Sequence, residues 1–270
     1  LPLEYLDGVS CFETLRSYAG KIFRLEDHLE RLAASCRGIG RALPVSSGKL
    51  KEWTEACLRQ SGAAEALLRL SIHWDDSGRG RLVIIIREFR GHPVEWYEKG
   101  VVLATAVPRR WTLRAQDPQI KASQFMGGVL AYLDTMAGSE GSDPFDRGQT
   151  PLTPREFVFL NQSGLVAEGT TSNIFMVKQK RILTPSIGSG ILRGVTRDVV
   201  IGLAVKRGLE IRETHLTRHE FYSAEECFLT NTSSEILPVV CFDGRVIGNG
   251  VPGPVTEFLR QDFKRALKRW

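Results

Sequence analysis

A lysine in apolar surroundings is where the chemistry of this chain begins. Lys121 lies in PQIKASQFMGGVLAYLDTM, flanked by Ile120 and Ala122, with Phe125 and Met126 close by. A desolvated lysine has a lowered pKa and presents a free amine that can form an imine with an aldehyde. Further along, VAEGTTSNIFMV puts Glu168 at the end of a strand. A carboxylate there can hold a pyridine nitrogen in its protonated form. GILRGVTRDVV then opens a helix at Gly194, Val195 and Thr196, whose exposed N–H groups and positive end suit a phosphate dianion. FLTNTSSEILPV follows, with Asn231 and Thr232 just after a strand. An amine for an aldehyde, an acid for a ring nitrogen and donors for a phosphate are what pyridoxal phosphate chemistry needs. Each residue alone has a plainer role. Lys121 could snorkel from a helix start, Glu168 could be an exposed acid before a turn, and Thr196 could be a helix cap. The order of the segments is what points to a cofactor.

Elements on both sides must position these groups. CFETLRSY, AGK and IFRL predict a hairpin around a Gly-containing turn. LEDHLERLAASCRGI has apolar residues at 25, 29, 32, 33 and 36, a helical period. A second helix is expected over 47–60. ALLRLSIHW and RLVIIIREF read as strands joined by DDSGRG, and VVLATAV as another strand. PRRWTLRAQDPQ, polar and bounded by prolines, reads as a linker. A helix over 122–137 and a Gly/Pro/Asp/Ser loop over 138–154 come next. Short strands follow near 156–160, 173–178 and 181–184, and a helix from 194 to about 207. Strands over 209–213, 225–230 and 236–241 lead to a final helix over 254–267. The expected domains are 1–110 and 120–270, with 111–119 between them.

The order of IKAS, EGTTSNIF, ILRGVTRD and TNTSSE resembles the class-IV aminotransferase family, the fold-type IV pyridoxal-phosphate enzymes. That family includes branched-chain and D-amino acid aminotransferases and 4-amino-4-deoxychorismate lyases. EGTTSNIF is close to the family pattern EG-[ST]-x-SN-[IVL]-F, and His28 to Leu32 keeps the spacing H-x-x-R-L. The resemblance runs from about Phe12 to about Pro238. It implies an α/β (α+β) fold of two mixed domains with the cofactor site between them. It also implies pyridoxal 5'-phosphate as cofactor. Lys121 would hold its aldehyde and shuttle a proton between the substrate Cα and the cofactor C4′. Glu168 would pair with the ring nitrogen and Leu192 would pack on the ring face. Arg31, Gly194, Val195, Thr196, Asn231 and Thr232 would hold the phosphate. Phe12 and Arg79 would meet the substrate, with Arg69 in LLRLS as a rival for Arg79. The plainer role for Arg31 is a solvated helix arginine paired with Asp27 or Glu30. For Arg79 it is a solvated hairpin tip. The chain departs from the family at Gly8-Val9-Ser10, where Gly-Asp-Gly is usual.

The implied activity is transfer of an amino group between an amino acid and a 2-keto acid. The runner-up is a lyase releasing pyruvate and 4-aminobenzoate from aminodeoxychorismate. A cofactor-binding protein without catalysis fits less well, since its lysine would serve no purpose. A homodimer is implied, with the neighbour's loop lining each site.

Composition narrows the classes further. The 270 residues are 42% hydrophobic and 25% charged, which suits folded domains with a real core. The net charge of +5 is scattered apart from the KRALKRW tail, so no nucleic-acid footprint is expected. There is no run of 18 apolar residues for a membrane span. LPLEYLDGVSCF does not read as a signal peptide, and family members carry a further strand before it, so a trimmed or short start is expected. Cys11, Cys36, Cys57, Cys227 and Cys241 are widely spaced, as in reduced cytoplasmic proteins. His215 and His219 sit four apart, but no H-E-x-x-H or third ligand appears, so no metal is expected. Glycines 188, 190 and 194 miss the dinucleotide spacing.

Overall fold

The structure, a computed structural model, describes residues 10–75, 77–106, 117–123 and 154–269. These fall into two compact units. One comprises residues 10–91, 119–123 and 267–269; the other comprises 92–106, 117–118 and 154–266. Most of the helix expected over 122–137, the loop over 138–154 and the centre of the expected linker lie outside the described residues.

The first unit is an antiparallel sheet backed by two helices. Its strands are β1 (Ser10–Tyr18), β2 (Lys21–Ile22), β3 (Ala66–Trp74) and β4 (Gly80–Glu88), in the order β2-β1-β3-β4. The turn between β1 and β2 uses Ala19 and Gly20, both with positive φ, which matches the twist of a tight hairpin. Helix α1 (Leu25–Gly38) buries Leu25, Leu29, Leu32 and Cys36, the helical stripe expected from spacing. Helix α2 (Ser47–Ser61) starts where the Ser46 side chain accepts from Lys49 N and stops at Gly62 in the left-handed region. Both helices share a core with Cys11 and Leu15 of β1 and with Leu68, Leu70 and Ile72 of β3, all fully buried. Strand alternation therefore turns Phe12 and Thr14 to the opposite sheet face.

Residues 119–123 return to this unit and fix Lys121. Phe12 N donates to Lys121 O at 3.0 Å, and Ser123 N to Ser10 O at 3.0 Å. Cys11 and Ala122 form an antiparallel bridge. On the other side, Lys121 N donates to Ser35 Oγ of α1 at 3.0 Å. A side chain at Gly38 would come within 2.8 Å of Ile120, so the helix end is shaped to admit this segment.

The second unit is built on a nine-stranded sheet. The strands are β5 (Val101–Thr105), β6 (Glu156–Leu160), β7 (Val166–Gly169), β8 (Asn173–Lys178), β9 (Arg181–Pro185), β10 (Ile211–Thr214), β11 (Glu226–Asn231), β12 (Glu235–Phe242) and β13 (Arg245–Val246). The order is β10-β9-β8-β11-β12-β5-β6-β7, with β13 on β12. β5 pairs in parallel with both β12 and β6, so residues 101–105 belong to this sheet although they precede the expected linker. Two five-residue helices, α3 (Val94–Glu98) and α5 (Arg218–Tyr222), were not expected from the sequence. Helix α4 (Val195–Lys206) begins close to the expected place, as does the C-terminal helix α6 (Pro254–Arg269). Val158, Val166, Ile174, Met176, Leu216, Phe221 and Phe242 are among the core residues, each fully buried.

Candidate active site

In the first unit, Phe12 carries two cations. Lys121 Nζ lies 4.7 Å from its ring centroid and Arg69 Cζ lies 3.8 Å from it. Thr14 and Arg69 are cross-strand partners, which sets Arg69 diagonally beside Phe12 on the face away from the helices. Arg69 Nε also donates to Ser71 Oγ at 3.2 Å. Of the rival arginines, Arg69 therefore lies beside Lys121 and Phe12. Arg79 is exposed in the β3–β4 turn, where its N–H donates to Asp75 Oδ1 at 2.8 Å.

Arg31 is neither solvated nor paired with Asp27 or Glu30. Its Nε donates to Glu13 Oε1 and its Nη2 to Glu13 Oε2, both at 2.7 Å. His28 Nδ1 shares Glu13 Oε2 at 2.8 Å. One bidentate edge of the guanidinium is thus engaged by a carboxylate of β1. Burial alone would raise the Glu13 carboxyl. The Arg31 charge, with hydrogen bonds from Arg31 and His28, outweighs burial and holds it well below the usual carboxylate range. Burial pushes His28 down, against the bond from Glu13. H-x-x-R-L thus contributes two residues to one buried cluster with the Glu of CFET.

In the second unit, Asn173 is the hub. Glu168, 6% exposed at the end of β7, accepts at Oε2 from Leu192 N at 2.8 Å and from Asn173 Nδ2 at 3.2 Å. Asn173 Nδ2 also donates to Leu192 O at 2.8 Å. A Cβ on Gly194 would stand 2.1 Å from Asn173 Oδ1, so only glycine lets the start of α4 approach this closely. Glycine also leaves the helix without a side-chain cap. The first N–H groups of α4 then keep their positive end for an anion, and Thr196, buried in the first turn, adds a hydroxyl.

The second phosphate-loop candidate abuts the same place. Thr230 of β11 is the register partner of Asn173, so Asn231 and Thr232 follow directly. Asn231 Oδ1 accepts from Ser234 N at 2.6 Å and from Ser233 Oγ at 3.1 Å, so its side chain shapes the turn. The Thr230 hydroxyl is buried and has no hydrogen-bond partner among the described residues. Uncapped helix N–H groups and a buried hydroxyl can donate to a phosphate, and an enclosed carboxylate can accept from a protonated pyridine nitrogen, so together these groups fit a phosphorylated pyridine.

Known proteins resemble this chain in sequence and fold. The Amino-transferase class IV family matches residues 10–241. The chain belongs to the class IV aminotransferase family. It is 33% identical over 273 residues to the branched-chain-amino-acid aminotransferase of Escherichia coli K12, covering 95% of this chain and 83% of that protein. It is 30% identical over 272 residues to the D-alanine aminotransferase of Bacillus licheniformis, covering 98% and 89%. The branched-chain amino acid aminotransferase from Thermobaculum terrenum, in its PLP form, superposes with a TM-score of 0.84 at 28% identity, covering 96% of this chain and 84% of that one. The chain is thus a fold-type IV enzyme that moves an amino group between an amino acid and a 2-keto acid. Class IV aminotransferases depend on pyridoxal phosphate. No helix among the described residues is long and apolar enough to cross a membrane. Nor do the described residues hold a metal-ligand cluster: His219 is on α5 and His215 before it binds Ser189 Oγ at 3.1 Å.

The residues that the sequence reading missed were Glu13 and Glu156. Glu13 was within reach, as the acid of CFET. Glu156, on β6, braces the turn after Glu168 and carries no local motif.

Proposed function

We propose that this aminotransferase uses pyridoxal 5'-phosphate and takes amino acids with branched aliphatic side chains as amino donors. The observation that carries the cofactor assignment is the Glu168–Asn173–Leu192–Gly194 constellation. It joins an enclosed carboxylate to an uncapped helix start through one asparagine. When bound, the cofactor supplies an electron sink for the charge left on the substrate Cα.

The chain's own residues do the rest. Lys121 is the covalent attachment point and carries the proton taken from Cα. Its backbone is held by Phe12 and Ser35, which limits where the amine can reach. Glu168 pairs with the ring nitrogen and keeps it protonated. Leu192 packs on the ring. Gly194, Val195 and Thr196 hold the phosphate, with Asn231 shaping the loop that brings Thr232 to it. Arg31 contributes positive charge to the phosphate end while its Nε edge holds Glu13. Phe12 offers the substrate an apolar ring, and Arg69 beside it offers a carboxylate partner. Support for a branched aliphatic donor comes from this apolar ring and from the two branched-chain aminotransferases among the relatives named above. The reading carries a homodimer on the family resemblance. The five free thiols accord with a reducing, cytoplasmic setting.

The test gives the purified enzyme one amino acid at a time and no acceptor, and follows cofactor absorbance. Leucine, isoleucine and valine are expected to convert the cofactor once, stoichiometrically, and then stop. Inertness toward these with conversion by D-alanine would overturn the donor class. Continuous pyruvate release from aminodeoxychorismate would overturn transamination.

A further inference from the structure

We infer that Glu156 is a positioning residue for the cofactor carboxylate: it holds the turn at 169–172 from behind, and through that turn sets the orientation of Glu168. This rests on the assignment of Glu168 to the ring nitrogen.

Glu156 opens β6 and is 8% exposed. Its Oε1 accepts from Thr171 N at 2.6 Å, Thr171 Oγ1 at 3.2 Å and Thr170 Oγ1 at 3.3 Å. The same turn is tied down by Thr170 N to Phe157 O at 2.9 Å and Gly169 N to Ser172 O at 2.7 Å. A Cβ on Gly169 would stand 2.5 Å from Glu156 Oε1 and 2.5 Å from Ser172 Oγ. Glycine follows Glu168 because the Glu156 carboxylate occupies that space.

The two ends of this turn are Glu168 and Asn173, and the two meet at Leu192. A carboxylate on one side of the turn therefore fixes the geometry of a carboxylate on the other. Among the described residues no lysine, arginine or histidine pairs with Glu156. Taking a carboxylate out of water without a counter-ion costs stability. An apolar residue at the start of β6 would fill the space at less cost, but it would not hold Thr170 and Thr171. The cost is expected where a loop must be held to within a fraction of an ångström for chemistry.

The decisive readout is amide hydrogen exchange at Leu192, whose N–H is held by Glu168 Oε2. It is measured in the holoenzyme of wild type, Glu156→Gln and Glu156→Ala. The Ala variant is expected to exchange faster at Thr171 and Leu192. The Gln variant, which keeps an acceptor in place, should recover most of the protection. If the Ala variant does not fold, Glu156→Asp, which withdraws the carboxylate by one methylene, replaces it. The single-turnover half-reaction is followed in parallel, with Glu168→Gln as reference. Glu156→Ala should slow it roughly 10- to 100-fold with kcat affected more than KM, as expected when a supporting residue is lost. Unchanged Leu192 exchange, or a lowered Tm with a normal half-reaction beside a slow Glu168→Gln, would overturn the positioning role. Faster Leu192 exchange beside a normal Glu168→Gln half-reaction would uphold it and overturn the assignment of Glu168 instead.

Discussion

Glu13 in the first unit and Glu156 in the second are both buried carboxylates, and they are held in opposite ways. Glu13 takes two hydrogen bonds from the Arg31 guanidinium and one from His28, so its charge is compensated where it sits. Glu156 takes its bonds from a backbone N–H and two threonine hydroxyls. Burial is the leading influence on both, and it pushes both carboxyls up. At Glu13 the neighbouring cation reverses the sign and the carboxyl titrates low. At Glu156 neutral donors only reduce the rise, and the carboxyl titrates above its ordinary value. Burial alone therefore does not decide the role. The first carboxylate is one half of an ion pair that binds helix α1 to strand β1. The second is a brace on the turn that follows Glu168.

The largest expected effect that separates them is on stability. Glu13→Ala leaves a guanidinium with its bidentate partner removed inside the first unit, which should cost about 3–5 kcal/mol. Denaturant unfolding would measure it. Glu156→Gln should cost far less, on the order of 1 kcal/mol, because an amide oxygen still accepts from Thr171. Equal losses in the two variants would erase the distinction between the sites.

Next in size is the pH dependence, and its sign differs. The folded-state pKa of Glu13 lies below its unfolded value. Its contribution is therefore full above the unfolded carboxyl range and is lost as pH falls toward the folded pKa. Glu156 has a raised folded pKa, so the folded state holds its proton more tightly. Its ionisation costs stability as pH rises from the unfolded carboxyl range through the folded pKa. Melting curves across pH for Glu13→Gln and Glu156→Gln, each against wild type, should diverge in opposite directions. His28 adds a further slope. Its lowered pKa means stability falls as pH drops below the ordinary imidazole range, and His28→Gln should flatten that part of the curve.

Much of the site was legible because it is written in short contiguous segments. Lys121, Glu168 and the glycine opening α4 each stand in a motif of a few adjacent residues, which is what made them candidates, and the α1 stripe at 25, 29, 32 and 36 shows its period plainly. What escaped depends on partners brought together by the sheet. Arg31 had an obvious local partner in Asp27, yet strand β1 supplies Glu13 instead. Thr170 and Thr171 give no hint that Glu156 stands behind them. β5 reads as a strand, but nothing in VVLAT says that its neighbour is β12, far along the chain. The short helix α5 did leave a signal, since Thr217 and Glu220 form a capping box at the required spacing.

The smallest expected effects concern substrate. Arg69→Ala should raise KM for the amino donor by about tenfold or more if a charged hydrogen bond to the carboxylate is lost. Arg79→Ala, at the exposed turn, should change it less than about twofold. Steady-state kinetics that ranked the two arginines the other way would return the substrate role to the hairpin tip.

The most direct test of the central claim is borohydride reduction of the purified holoenzyme followed by peptide mass spectrometry. The expected result is the cofactor mass fixed on the Lys121 peptide, with no labelling in Lys121→Ala. A label on any other lysine, or none in protein that carries pyridoxal phosphate, would contradict the assignment of Lys121 as the attachment point.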